Sequence, residues 1–272
     1  MLEQEKNLII NKQKTIRMKK HIPNFLTCCN LFFGCIGIIF SFNKNLEFAA
    51  YCIGIAAIFD FLDGFVARML KVSSPIGKEL DSLADCVTFG VLPAFIMYQL
   101  MISASLEKVT QNLVEGQIPT AMDSYLPYIA LLIAVFSALR LAKFNVDTRQ
   151  SDSFIGVPTP ANAILIGSIP LILLQNSTYS SVILNPILLV ILTIVMSLLL
   201  VAELPLFALK FKSFAFKGNE IRYIFILSSI LLLAFLQFLG VPLIILLYVL
   251  LSVVSNMVSV KVSDEDNLIE KK

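Results

Sequence analysis

Eight runs of predominantly apolar residues, near 24–42, 47–67, 83–106, 124–144, 160–177, 184–208, 221–239 and 241–260, constrain this chain more than any other feature. Most are about twenty residues long, the length a helix needs to cross the hydrocarbon core of a bilayer. A helix also satisfies its own backbone hydrogen bonds where no water can reach them. The sequence therefore predicts an all-α, polytopic membrane helix bundle of about eight transmembrane helices. Composition agrees, with 57% hydrophobic and 15% charged residues, against roughly a quarter charged in ordinary soluble domains. The mean hydropathy is +0.84.

The net charge of +2 says less than its distribution. Nineteen of the 21 Lys and Arg residues fall in the N-terminal segment, the even-numbered connections and the C-terminal segment; only Lys44 and Lys108 lie in the others. By the positive-inside rule both termini are expected in the cytoplasm. Residues 1–20 then form a cytoplasmic N-terminal tail, 21–260 a membrane-embedded domain and 261–272 a cytoplasmic C-terminal tail. The lysine-rich start runs into the first apolar segment with no small-residue cleavage site, which predicts an uncleaved span and not a signal peptide. The connection at 107–123, with Glu107, Glu115 and Asp123, reads as a solvated loop on the opposite face. Gly240-Val241-Pro242 reads as the turn between the last two helices.

Five cysteines sit in or beside apolar runs without a CxxC pair, so they read as small packing residues. The single histidine, His21, argues against histidine-based acid–base chemistry. Glu203 is read as lying in an apolar helix near Pro205, without an assigned role.

The segment DFLDGFVARMLKVSSPIGKELDSLAD, residues 60–85, breaks the apolar pattern. Asp60 and Asp63 are three apart and share one helical face; Asp81 and Asp85 are four apart and share a face of the next helix. Ser73-Ser74-Pro75 supplies a loop between them, so an antiparallel pair of helices brings four carboxylates together. Such a cluster needs cations, and an all-oxygen donor set suits the hard ions Mg²⁺ or Mn²⁺. Two such ions clamping a phosphoryl group is a familiar use of this arrangement. Gly64 and Ala67 lie on or near the acidic face and leave room for a ligand against the backbone, while Arg68 suits a phosphate oxygen or an acid. Ionisable groups at membrane depth are costly and point to function.

The pattern Asp60-x₂-Asp63-Gly64-x₂-Ala67-Arg68-x₈-Gly77-x₃-Asp81-x₃-Asp85 resembles the signature of the CDP-alcohol phosphotransferase (phosphatidyltransferase) family at every fixed position. HIPNFLTCCNLFFGCIGI (21–38) and ALRLAKFNV with FIGVPTPANA (138–163) are similar to its phosphatidylserine synthase branch. The resemblance implies transfer of a phosphatidyl group from CDP-diacylglycerol to L-serine with release of CMP. It implies Asp60, Asp63, Asp81 and Asp85 as ligands of two Mg²⁺ or Mn²⁺ ions, with Asp85 also the general base. It places Asp60, Gly64, Ala67, Arg68, Asn24, Thr27 and Asn30 around the nucleotide. Gly77, Arg140, Lys143 and Asn145 fall on the side of the acceptor or lipid phosphate. It further suggests a homodimer among membrane lipids, in the bacterial cytoplasmic (inner) membrane with its active site facing the cytoplasm; no nucleic-acid partner is expected. Glycerol 3-phosphate or inositol are the alternative acceptors, and a membrane cation transporter is the alternative outside enzymology.

Overall fold

The computed structural model describes residues 2–114, 125–147, 154–175, 177–207 and 219–269. Glu115, Asp123, Arg149, Lys210, Lys212, Lys217, Lys271 and Lys272, which enter the charge pattern above, lie outside the described residues.

Among the described residues, helix follows most of each apolar run; the sixth leaves helix after Val201. Helix α1 (Leu2–Phe42) continues through Pro23, and α2 (Leu46–Leu70) returns beside it. Helix α2 ends at Lys71, whose left-handed backbone (φ 52°) lets the amides of Lys71 and Val72 close on the carbonyls of Arg68 and Ala67. Helix α3 (Pro75–Asp85) starts with Pro75 in its first turn, where a missing amide costs nothing, and with Ser74 accepting a hydrogen bond from the Gly77 amide at 3.0 Å. A π turn, Cys86–Val91, joins it to α4 (Leu92–Val114). The third apolar run is thus the inner part of a longer rod that begins at Pro75, and Asp81 and Asp85 lie on its first turns.

A 3₁₀ segment (Leu126–Leu131) leads into α5 (Leu132–Val146), followed by α6 (Thr159–Gln175) and α7 (Pro186–Val201). Helices α8 (Glu220–Leu236) and α9 (Gly240–Ile269) pack against each other. Their turn is made by Gln237–Leu239, with Gln237 at φ 49°, three residues before the Gly-Val-Pro sequence that reads as the turn; Gly240 and Pro242 instead open α9. Among the described residues, five helical stretches are long and apolar enough to cross a membrane; the fifth, Glu220–Asn256, contains the α8–α9 turn. Helices α6 and α7 are apolar but shorter.

The α3–α4 rod is the centre of the bundle. Phe89, Leu92, Ile96, Met97 and Met101 are fully buried there, against Ile53 of α2, Ile133 of α5 and Ile166 of α6. Gly34 of α1 sits so close to Thr88 that a β-carbon could not be added without displacing it. Small residues of this kind let helices approach where the surroundings are as apolar as the side chains.

A two-residue antiparallel pairing, β1 (Phe154–Ile155) with β2 (Pro205–Leu206), ties the start of α6 to the end of α7. Gly156 has φ +75°, and a β-carbon there would lie 2.5 Å from the Leu200 carbonyl oxygen, so only glycine fits. Its amide donates to Leu204 at 3.0 Å and that of Val157 to Leu199 at 3.0 Å. Helix α7 ends at Val201, so Glu203 stands in the connection after the helix and not within it.

Candidate active site

The ends of α2, α3, α5 and α7 that carry the polar residues meet at one end of the bundle. Carboxylate oxygens of Asp60, Asp63 and Asp81 lie within 4.8 Å of one another. Asp85 lies beside Asp60, one helical turn deeper than Asp81. The i, i+3 and i, i+4 spacings thus do in three dimensions what helical periodicity requires of them. Three oxygens of one charge held this close fit a divalent cation, and their hardness favours an ion with oxygen preference.

Two side chains of α1 reach into the cluster. Thr27 Oγ1 lies 2.5 Å from Asp63 Oδ2 and 3.1 Å from the Pro23 carbonyl, so its proton serves the carboxylate in a site where Asp63 is only 7% exposed. Asn30 donates from Nδ2 to Asp85 Oδ1 at 3.1 Å, and Thr88 Oγ1 donates to the Asn30 carbonyl at 3.2 Å. Asn30 is fully buried. The resemblance assigns Thr27 and Asn30 to nucleotide contacts; the structure aims both at carboxylates, and only Thr27 also faces the adjoining cavity. Phe33 stacks on Phe59 at 5.6 Å, which fixes α1 against α2 next to Asp60.

That cavity holds about 250 Å³ and is walled by Asn24, Gly64, Ala67, Gly77, Asp63 and Asp81. Gly77 therefore shares a wall with the residues expected around the nucleotide, and not with Arg140 and Lys143. A β-carbon on Gly77 would come 2.9 Å from Asn24 Oδ1. The Arg68 guanidinium folds back over Gly64, 3.4 Å from where a β-carbon would stand, and its charge is felt at Asp63.

Arg140 and Lys143 line a second, smaller pocket with Phe144 and Glu203. Asn145 lies on the seam between the two regions: its Nδ2 donates to Ser82 Oγ at 2.8 Å, and Lys78 Nζ donates to its carbonyl at 3.1 Å. Lys78 and Ser82 were absent from the sequence-based assignments. Their signal was spacing, since Lys78 precedes Asp81 by three residues and Ser82 by four and so lies on the acidic side of α3. Thr159, which accepts from Arg140 Nη1 at 3.3 Å, carried no comparable signal.

The chain belongs to the CDP-alcohol phosphatidyltransferase family, whose sequence pattern matches residues 20–204. It is 38% identical over 146 residues to the CDP-diacylglycerol–serine O-phosphatidyltransferase of Helicobacter pylori strain J99, across 53% of this chain and 54% of that protein. The protein of the same name from Bacillus subtilis strain 168 is 32% identical over 188 residues, across 68% of this chain and 88% of its own. Archaetidylserine synthase of Methanothermobacter thermautotrophicus is 33% identical over 150 residues, across 54% of this chain and 56% of its own. The chain spans about half the length of the Helicobacter relatives it matches.

Proposed function

We propose that the chain is a CDP-diacylglycerol–serine O-phosphatidyltransferase, which moves the phosphatidyl group of CDP-diacylglycerol to L-serine and releases CMP. The observation that carries this reading is the meeting of the carboxylate cluster with a cavity of about 250 Å³ walled by Gly64, Ala67 and Gly77. A nucleotide diphosphate needs both parts: cations for its charge, and small residues so that it can lie against helix backbone. The names of the three relatives specify a serine headgroup, which favours serine over glycerol 3-phosphate or inositol. The acids crowd one end of two neighbouring helices and do not form a path through the bundle, which argues against a cation transporter.

In this reading Asp85 accepts the proton of the serine hydroxyl as its oxygen attacks the lipid-bearing phosphorus. The new O–P bond forms, the bond from that phosphorus to the CMP oxygen breaks, and the proton rests on the Asp85 carboxylate. Asn30 orients the base through its 3.1 Å hydrogen bond, and Thr27 orients Asp63. Asp60, Asp63, Asp81 and Asp85 would hold Mg²⁺ or Mn²⁺, two ions in our reading, which when bound offset the charge of the diphosphate and of departing CMP. Asn24, Gly64, Ala67 and Gly77 form the bed for the nucleotide, and Arg68 stands over Gly64 within reach of a phosphate.

We place the site at the cytoplasmic face of a bacterial inner membrane. Eight crossings with both termini inside put the basic connections on the same side as the acids. An anionic lipid donor and a water-soluble acceptor meet at that boundary. The resemblance supports a homodimer.

The test is direct. Purified protein with CDP-diacylglycerol and divalent cation is given L-serine, glycerol 3-phosphate or inositol, and CMP release is followed. Serine-dependent release is expected. Release with glycerol 3-phosphate or inositol in its place would overturn the acceptor, and release with none of the three would overturn the reaction class.

A further inference from the structure

The second pocket has a different character from the nucleotide cavity. It holds about 30 Å³, between the last turn of α5, Ile155 of the β1–β2 pairing and the connection after α7. By volume that is room for about two water-sized groups. Four charged side chains line it: Arg140, Lys143 and Asp147 on one side and Glu203 on the other.

Arg140 is 8% exposed yet is not fully satisfied. Its Nη1 donates to Thr159 and its guanidinium lies 5.6 Å from the centroid of the Phe144 ring, so the group is held rigidly. Its Nε is buried and has no hydrogen-bond partner among the described residues. A buried donor left unpaired is costly, and a guanidinium edge matches a carboxylate with two parallel bonds. Glu203 is also held in place. The Gly156 amide binds the next residue, Leu204, and β2 begins at Pro205, so the backbone on its C-terminal side is clamped to the start of α6.

We propose that this pocket receives the amino-acid head of the acceptor, with its α-carboxylate on Arg140 and its α-ammonium on Glu203. The inference rests on the reading of the acceptor as serine and adds the residues that select it. A small pocket with cationic and anionic groups on opposing elements fits a zwitterion. A phosphorylated acceptor meets repulsion from Glu203, and a sugar-ring polyol is too large for the space. Only two bonds separate the α-carbon from the hydroxyl oxygen of serine, so a head held here keeps that oxygen near Arg140. Arg140 also feels the charge of Asp85. The Lys78–Asn145–Ser82 hydrogen bonds fix the end of α5 to the helix that carries Asp81 and Asp85.

The test compares wild type, Glu203→Gln and Glu203→Asp in the full chain. Two readouts are taken: the KM for L-serine in CMP release, and the dissociation constant of L-serine measured by NMR without the lipid donor. The competitor 3-hydroxypropionate, which keeps the hydroxyl and carboxylate but lacks the ammonium, reports on the rest of the pocket. Glu203→Gln is expected to weaken serine by about tenfold to a hundredfold, to leave the KM for CDP-diacylglycerol unchanged, and to leave inhibition by 3-hydroxypropionate unchanged. Glu203→Asp restores most of the serine affinity. Serine binding within twofold of wild type in Glu203→Gln overturns the proposal, as does an equal loss for serine and 3-hydroxypropionate. If serine binds in a Glu203-dependent way but supports no CMP release, the reaction assignment fails and the pocket stands.

Discussion

The α3–α4 rod and the α8–α9 pair are both long and apolar, yet they do opposite work. In the rod, 61% of the most apolar window is buried within the protein; in the C-terminal pair the share is 11%. The C-terminal pair is nevertheless the more apolar of the two. In water this order would be reversed, because the most apolar segment would be the core. In a bilayer the lipid is as apolar as leucine, so hydropathy marks what faces lipid and cannot mark the centre of the fold. The centre is found instead where polar and small residues interrupt the run: Asp81, Asp85, Thr88 and Gly90 on the rod, met by Asn30, Asp60 and Asp63 from its neighbours.

Substitutions of similar size in the two regions are expected to differ greatly in effect. Asp85→Asn should give a folded protein whose turnover falls by about two to four orders of magnitude, the usual worth of a general base; CMP release under saturating substrates measures it. Asn30→Leu removes the hydrogen bond to Asp85 without emptying the space, and should lower activity or metal affinity by about tenfold to a hundredfold, as loss of a supporting partner commonly does. Its metal titration separates that effect from simple misfolding. At the other extreme, Phe235 of α8 is 82% exposed. Phe235→Leu should leave both thermal stability in lipid and turnover unchanged, and a substantial loss of either would show that this face is covered.

Much of the site was legible because its signal is local. The 3- and 4-residue spacings of the acids need only helical geometry, and the Ser-Ser-Pro link needs only turn chemistry, so four carboxylates on a helix pair follow from residues 60–85. What was not legible depends on contacts between distant segments. Asn30 and Asp85 are 55 residues apart, and nothing near Asn30 says that it serves an acid and not a ligand. The π turn at Cys86–Val91 has no sequence mark of its own. It closes with the Leu92 amide on Val87, five residues back, and inserts a wider turn between the acidic face of α3 and the buried face of α4. Glu203 was misplaced for the same reason. The β1–β2 pairing that ends α7 and holds the following connection joins residues about fifty positions apart, and each strand is only two residues long.

In the proposed reading, the acids of α2 and α3 together hold a pair of divalent cations at one end of the bundle. Titration of the purified, EDTA-stripped protein with Mn²⁺, followed by electron paramagnetic resonance, tests it most directly. Saturable binding of two ions per chain is expected, with spin coupling between the ions in wild type and loss of binding in Asp60→Asn/Asp81→Asn. Absence of saturable binding, or binding that survives the double substitution, would contradict it.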